Sequence, residues 1–278
     1  MAHDALTSVA LVGGGKMGEA IMAGWLQATE GPAAELSPAS FQVANPGAER
    51  QQYLRDTYGV ACVDDASCLS AAQIVVLAVK PQVLPEVLPV VAQLPFLADS
   101  LVVSIAAGYT TSCIESFLPE GTHVVRVMPN TPLMVGSGAS CLCAGSCATS
   151  EELHLAEKLF CSLGKAWVVE ESALDAVCAV SGSGPAYVAA LIEAMAEGAV
   201  RAGLPREFGE ALATQTAYGT AKLMLVREQG AEKTRVDVCS PGGTTLAGLD
   251  AMNAAGFGEA VAKGVVAAYE RSIELGKA

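Results

Sequence analysis

A chain of 278 residues that is 52% hydrophobic but only 5% aromatic has material for two cores built from Ala, Val, Leu and Ile, which excludes an intrinsically disordered protein. The formal net charge of -13, from 16 Lys and Arg against 29 Asp and Glu, excludes a nucleic-acid partner, because no basic patch is available to neutralise phosphates. Any small anion must instead be held by a local device, and backbone N–H groups at helix ends are the natural one.

Taken in chain order, a first strand at 9–12 runs into Gly13-Gly14-Gly15-Lys16-Met17-Gly18, and a helix pattern over 16–27 follows. In this G-x-G-x-x-G, Gly13 allows the tight turn, Gly15 lets the backbone approach a pyrophosphate and Gly18 lets helix and strand pack closely. A second strand at 41–44 ends in Asn45-Pro46, without the carboxylate that usually holds a ribose 2′-hydroxyl, and Arg50 follows early in a helix over 48–58. A neutral Asn and a nearby guanidinium suit a 2′-phosphate, so NADP(H) is expected, with NAD(H) as the weaker alternative. Strands at 60–63, 74–79 and 101–106 come next, with a helix over 83–93. Ligands of open α/β sheets bind beyond the carboxyl ends of strands, so Ala78, Val79 and Lys80, and then Ile105, Ala106 and Ala107, are expected to line the cofactor. Pro81 holds Lys80 extended, which suits positioning and charge rather than proton transfer. Strands at 123–128, 139–144 and 166–169 and a helix over 151–163 complete the alternation. Runs apolar throughout suit parallel strands buried on both faces, and the β-α order indicates an N-terminal Rossmann-type doubly wound α/β sheet over 1–167.

From 168 to 278 strand signals vanish and Ala-rich helices take over, among them 185–202 and 205–228, separated at Gly203-Leu204-Pro205. Ala186, Ala189, Ala190, Ala194 and Ala199 permit close helix contact. The wide apolar arcs of these helices predict that this all-helical domain buries part of its surface against a second copy; a self-contained bundle is the alternative. Further on, Ser240-Pro241-Gly242-Gly243 leads into a helix over 244–253, which places Thr244 and Thr245 in its first turn. That turn is a ready carboxylate site, or else Ser240 or Thr244 is a simple N-cap.

The nine cysteines are odd in number and lie mostly in apolar runs, and no basic-then-apolar leader opens the chain, so reduced thiols in a cytoplasmic protein are expected. Cys141, Cys143, Cys147 and His154 lack paired CxxC spacing, and no metal is expected. No apolar run reaches the roughly 20 charge-free residues of a membrane span, and no membrane contact is expected.

Six segments together resemble the pyrroline-5-carboxylate reductases: Gly13 to Gly18, Ala78 to Pro81, Ala106 to Gly108, Met128-Pro129-Asn130-Thr131-Pro132, Ser181-Gly182-Ser183-Gly184-Pro185-Ala186-Tyr187 and Ser240-Pro241-Gly242-Gly243-Thr244-Thr245. They come in that family's order and cover nearly the whole chain. The resemblance implies reduction of 1-pyrroline-5-carboxylate to L-proline with NADPH or NADH, the last step of proline synthesis. It also implies a Rossmann domain plus a helical dimerisation domain, and obligate homodimers that often assemble into decamers. Carried over by motif, Asn45 resembles the contact to the adenosine ribose or its 2′-phosphate. Gly243, Thr244 and Thr245 resemble the site of the substrate carboxylate, with the Thr245 hydroxyl beside the ring nitrogen and Ser240 and Glu228 at the same pocket. The chain departs from the family pattern at Lys16, at Ala66, between Glu228 and Ser240, and at Asp237, where an amide is usual.

No Ser/His/Asp constellation is apparent, and His3, His123 and His154 have no catalytic setting. Hydride transfer to an iminium carbon needs none, because the protonated nitrogen is already the electron sink. Two other readings stay open. One is a 3-hydroxyacid dehydrogenase relying on a lysine such as Lys222. The other is a sensor that holds NADP(H) without turnover.

Overall fold

The computed structural model describes residues 6–276, so His3 lies outside the described residues. The chain forms two compact units: one runs to Gly182 and resumes at Ala268, and the other is Ser183–Ala267.

The first unit is built on an eight-stranded sheet of β1 (Val9–Val12), β2 (Phe41–Ala44), β3 (Ala61–Val63), β4 (Ile74–Leu77), β5 (Leu101–Ser104), β6 (His123–Met128), β7 (Gly138–Ala144) and β8 (Gly164–Val168). The order is β3-β2-β1-β4-β5-β6-β7-β8, and its first six strands run in the doubly wound dinucleotide-binding sequence. Successive residues of a strand point to opposite faces, and here both faces are apolar. Val9, Leu11, Ile74, Val76, Leu101, Val103, Val125 and Val127 enter one core. Ala10, Val12, Val75, Leu77, Val102 and Val124 enter the other. This division is why the strands read as unbroken apolar runs instead of alternating ones.

The sequence favours parallel pairing throughout, and the structure departs from it at one place: β7 runs antiparallel to β6. The 129–137 connection contains only a short 3-10 turn, Thr131–Val135, and a parallel crossover needs a dozen or more residues. Parallel pairing resumes between β7 and β8, across helix Ser150–Cys161. Strands β4 and β5 end two residues before the expected 79 and 106, although Ala78 N–H still donates to Val12 O at 2.8 Å and Ile105 N–H to Leu77 O at 3.1 Å.

Helices α1 (Lys16–Leu26), α2 (Ala48–Tyr58), α3 (Leu84–Val91), α4 (Thr111–Glu115) and α5 (Ser150–Cys161) belong to this unit. Trp25 of α1 is buried, donates to Leu159 O at 2.9 Å and meets Phe160 edge-on. After β8 the chain stays with the sheet through α6 (Leu174–Val177). Buried Arg126 donates to Glu171 at 3.1 Å, and the Asn130 amide donates to Ser181 O at 3.0 Å.

The second unit holds α7 (Gly184–Arg201), α8 (Arg206–Arg227), α9 (Ala231–Val238) and α10 (Thr244–Ala254), and the long α11 (Phe257–Leu275) begins in it. Pro185 sits in the first turn of α7, where its missing N–H costs nothing. Small residues bring α7 and α8 together: a Cβ on Gly209 would lie 2.7 Å from the Ala199 Cβ. The unit has little core of its own. Ala196 and Ala213 are its buried apolar side chains among the described residues, while Val188, Met195, Phe208, Leu212, Tyr218 and Val226 lie exposed. Among the described residues one helical stretch, Glu171–Arg201, is long and apolar enough to cross a membrane by length and composition alone. Asp175, Glu193 and Glu197 interrupt it, so it contains no charge-free run of the length expected of a membrane span.

Candidate active site

The glycine-rich loop joins β1 to α1, and Gly13, Gly14 and Gly18 each answer a specific contact. Gly13 adopts φ +106, and a side chain there would meet the Ala78–Val79 peptide at 2.8 Å. A Cβ on Gly18 would lie 2.2 Å from Gly13 O, so helix and loop approach as only glycine allows. Gly14 is buried against Leu54 and Val43. Gly15 differs: nothing lies within 4 Å of where its Cβ would be. Gly15 is also the N-cap residue of α1, whose first N–H groups have no intrahelical acceptor. A bare backbone facing open space at a helix N-terminus fits a pyrophosphate.

Two clefts meet at this loop. One, of about 340 Å³, is lined by Gly13, Gly15, Asn45, Pro46, Asp64, Ala78, Val79 and Lys80 among others. The other, of about 490 Å³, is lined by Gly15, Lys16, Met17, Ala78, Val79, Lys80, Ile105, Ala106 and Ala107, and by Met128 and Pro129. The structure therefore brings the ends of β1, β2, β4 and β5 to one continuous edge, with Gly15 and the Ala78–Lys80 turn shared by both clefts. Lys80 is extended, with φ -61 and ψ 145, and exposed.

Sequence reasoning missed Gln51. It is buried on α2, and its side-chain amide donates to Asn45 O at 2.7 Å and to Asp64 Oδ1 at 2.8 Å. It ties the end of β2 to the end of β3 and so fixes Asn45. An amide one turn into a helix carries no local signal of such a role. Arg50, expected beside a 2′-phosphate, turns its side chain toward α1, where Nε donates to Gly14 O at 2.6 Å and a terminal nitrogen pairs with Glu19. It does not line the cleft that holds Asn45.

The second unit carries the remaining residues singled out in the sequence. Gly243, with φ -78 and ψ 167, is the N-cap residue of α10, and its N–H donates to Ser240 O at 3.0 Å. Gly243 cannot be replaced without a shift, since a Cβ would lie 2.4 Å from Ser240 Oγ. Thr244 and Thr245 are the first two residues of α10, and no side chain caps that end, so their N–H groups lack intrahelical acceptors. Thr244 is exposed and Thr245 half-buried. Glu228 ends α8 in the left-handed region at φ 50, exposed. Asp237 on α9 accepts from Lys233 and from the Gln229 amide, and these bonds hold its carboxyl below the usual range. Lys222 is exposed, with its ammonium 5.7 Å from the centroid of the Tyr218 ring.

Other titratable groups have structural settings. Burial, with Glu171 adding to it, pushes the Cys143 thiol up to about 11. His123 and His154 pair with Glu152 and Glu157.

Comparison with known proteins bears on what such clefts serve. The family described as pyrroline-5-carboxylate reductase dimerisation matches residues 171–275, and the family described as NADP oxidoreductase coenzyme F420-dependent matches residues 8–108. A pyrroline-5-carboxylate reductase of Synechocystis is 41% identical over 96% of this chain and 97% of that protein. The chain belongs to the pyrroline-5-carboxylate reductase family. Another pyrroline-5-carboxylate reductase, from Corynebacterium melassecola, is 38% identical over 98% of this chain and all of its own (100%). Among solved structures, a pyrroline-5-carboxylate reductase of Coxiella burnetii superimposes with a TM-score of 0.88 at 33% identity, covering 99% of this chain and 100% of that one. The NADP-bound pyrroline carboxylate reductase of Plasmodium falciparum gives 0.85 at 28%, covering 97% and 98%. A prephenate dehydrogenase gives only 0.52 at 14%, a likeness of fold alone.

Proposed function

We propose that this chain is a pyrroline-5-carboxylate reductase, reducing 1-pyrroline-5-carboxylate to L-proline with NADPH, and less readily with NADH. Identity of 41% over 96% of the chain carries the assignment, and the open Gly15 backbone beside two confluent clefts supports a dinucleotide. The reduced nicotinamide supplies the hydride for the carbon of the protonated C=N bond. In this reading the N–H groups at Gly15 to Met17 hold the pyrophosphate. Asn45 faces the adenosine ribose and, lacking a carboxylate, leaves a 2′-phosphate unopposed. The turns Ala78–Lys80 and Ile105–Ala107 border the nicotinamide half, with Lys80 contributing charge.

The N–H groups of Thr244 and Thr245 receive the substrate carboxylate, with Gly243 leaving room for Ser240 to pack against the helix end and with Ser240 and Glu228 beside it. The Thr245 hydroxyl holds the ring nitrogen as it passes from iminium to amine. The dimerisation and substrate domain expected over 168–278 is centred on the second unit, and the cofactor domain expected over 1–167 on the sheet-containing unit, which also takes in α6 and the end of α11. The working unit is a cytoplasmic homodimer that assembles further into a decamer. The apolar stretch Glu171–Arg201 belongs to this oligomer rather than to a membrane, in keeping with its place at the start of the matched dimerisation region. A panel of pyrroline-5-carboxylate and 3-hydroxy acids tests the assignment against its dehydrogenase rival. The imine is expected to consume NADPH, and reduction of NADP by the hydroxy acids with silence toward the imine would reverse it.

A further inference from the structure

Arg50 is the third residue of α2, and its guanidinium is held on three sides. Nε donates to Gly14 O at 2.6 Å, a terminal nitrogen pairs with the Glu19 carboxylate, and the charged carbon stands 4.9 Å over the Tyr53 ring. Glu19 is itself fully engaged: one oxygen takes Arg50 and the other accepts from Tyr53 at 2.9 Å and Tyr58 at 2.8 Å. Burial would raise the Glu19 pKa, but the bonds from Arg50, Tyr58 and Tyr53 outweigh it and hold the carboxyl below its usual value, so the pair stays ionised at neutral pH. The network joins α1 to α2 around the middle of the glycine-rich loop.

Peptide planarity gives this contact a direction. Gly14 C=O and Gly15 N–H belong to one trans peptide unit, so fixing the oxygen toward Arg50 fixes the N–H toward the opposite side. Gly15 is the loop residue with nothing within 4 Å of its would-be Cβ, and it lines both clefts. A cationic donor on the carbonyl also polarises the peptide and strengthens that N–H as a donor.

We propose that Arg50 is a positioning residue that aims the Gly15 N–H at the pyrophosphate, the part common to NADPH and NADH, and not a ligand of the 2′-phosphate that separates them. This rests on the cofactor assignment above. Glu19, Tyr53 and Tyr58 hold Arg50 in that role, and Asn45 is left as the group that meets the 2′ position.

The test compares dissociation constants of NADPH and NADH for the full-length protein and its variants, read by nucleotide fluorescence, with kcat measured alongside. Arg50→Met is expected to weaken both nucleotides by the same factor, on the order of tenfold for one lost charge-assisted bond, with kcat nearly unchanged. Arg50→Lys is expected to restore part of the loss. Glu19→Gln keeps the shape of the network and should weaken both nucleotides equally by a smaller factor. It carries the same comparison if Arg50→Met does not fold. Loss confined to NADPH would make Arg50 a 2′-phosphate ligand, and no loss for either nucleotide would make the network merely structural; either result overturns the proposal. Failure of the wild type to bind either nucleotide would instead strike the cofactor assignment itself.

Discussion

Thr245 lies in the first turn of α10, half-buried, with its N–H free of intrahelical acceptors. Replacing it by Val keeps volume and β-branching and removes only the hydroxyl. A hydrogen bond to a charged group contributes about 1.5–3 kcal/mol, so Thr245→Val is expected to lower kcat/KM by roughly tenfold to a hundredfold while NADPH affinity holds. Unchanged kinetics in a folded Thr245→Val protein would reduce this threonine to a helix-end residue. At the other site, Asn45→Asp places a negative charge where a 2′-phosphate is proposed, and the NADPH/NADH preference should move toward NADH by about tenfold; an unmoved ratio would show the ribose pocket to lie elsewhere. Glu19 makes a pH prediction. Its folded pKa is depressed, so its contribution to stability is present above the unfolded value, near 4.5, and disappears as pH falls through the folded value. Urea unfolding of Glu19→Gln from neutral to acid pH should show a shallower acid decline than the wild type; parallel curves would contradict the network. The glycines were readable in the sequence because their spacing is itself the signal, even though the groups that constrain Gly13 lie at Ala78 and Val79. Arg50 was not, since its carboxylate partner is 31 residues away on another helix.

Elements came through best where burial is two-sided. Strands β1, β2 and β6 run over the residues their apolar runs indicate, because each is enclosed between two apolar layers. The reversal of β7 was not legible from its own residues, since an apolar strand reads alike in either direction; only the shortness of the 129–137 connection encodes it. Likewise α9, with Glu232, Lys233, Arg235 and Asp237 among its residues, has little apolar periodicity to announce a helix, and its ends are set by Gly230 before it and Cys239 after it. Of the alanines singled out on α7, only Ala199 meets α8, at Gly209, while Ala186, Ala189, Ala190 and Ala194 lie exposed. Gly209→Val should force these helices apart and destabilise the protein by about 1–3 kcal/mol, read as a lower urea midpoint. An unchanged midpoint would mean that the contact is loose.

At the scale of the whole molecule, the second unit is the informative one. A bundle with two buried alanines and exposed Val188, Met195, Phe208, Leu212 and Val226 cannot be explained as a free-standing core. Light scattering at micromolar concentration should give at least a dimer; a monomer would leave those faces without a partner. Oligomer size was the least readable property, because a symmetric contact is specified by surface shape and not by any periodicity along one chain. The fold itself does not select the reaction, as the distant likeness to a prephenate dehydrogenase shows, so the assignment rests on the 41% identity to a reductase along 96% of the chain. The most direct measurement is NADPH absorbance on mixing the purified protein with 1-pyrroline-5-carboxylate, followed by quantification of proline. Loss of NADPH matched mole for mole by L-proline is the predicted result, and a protein that binds NADPH yet leaves both nucleotide and imine unchanged would contradict the proposed function.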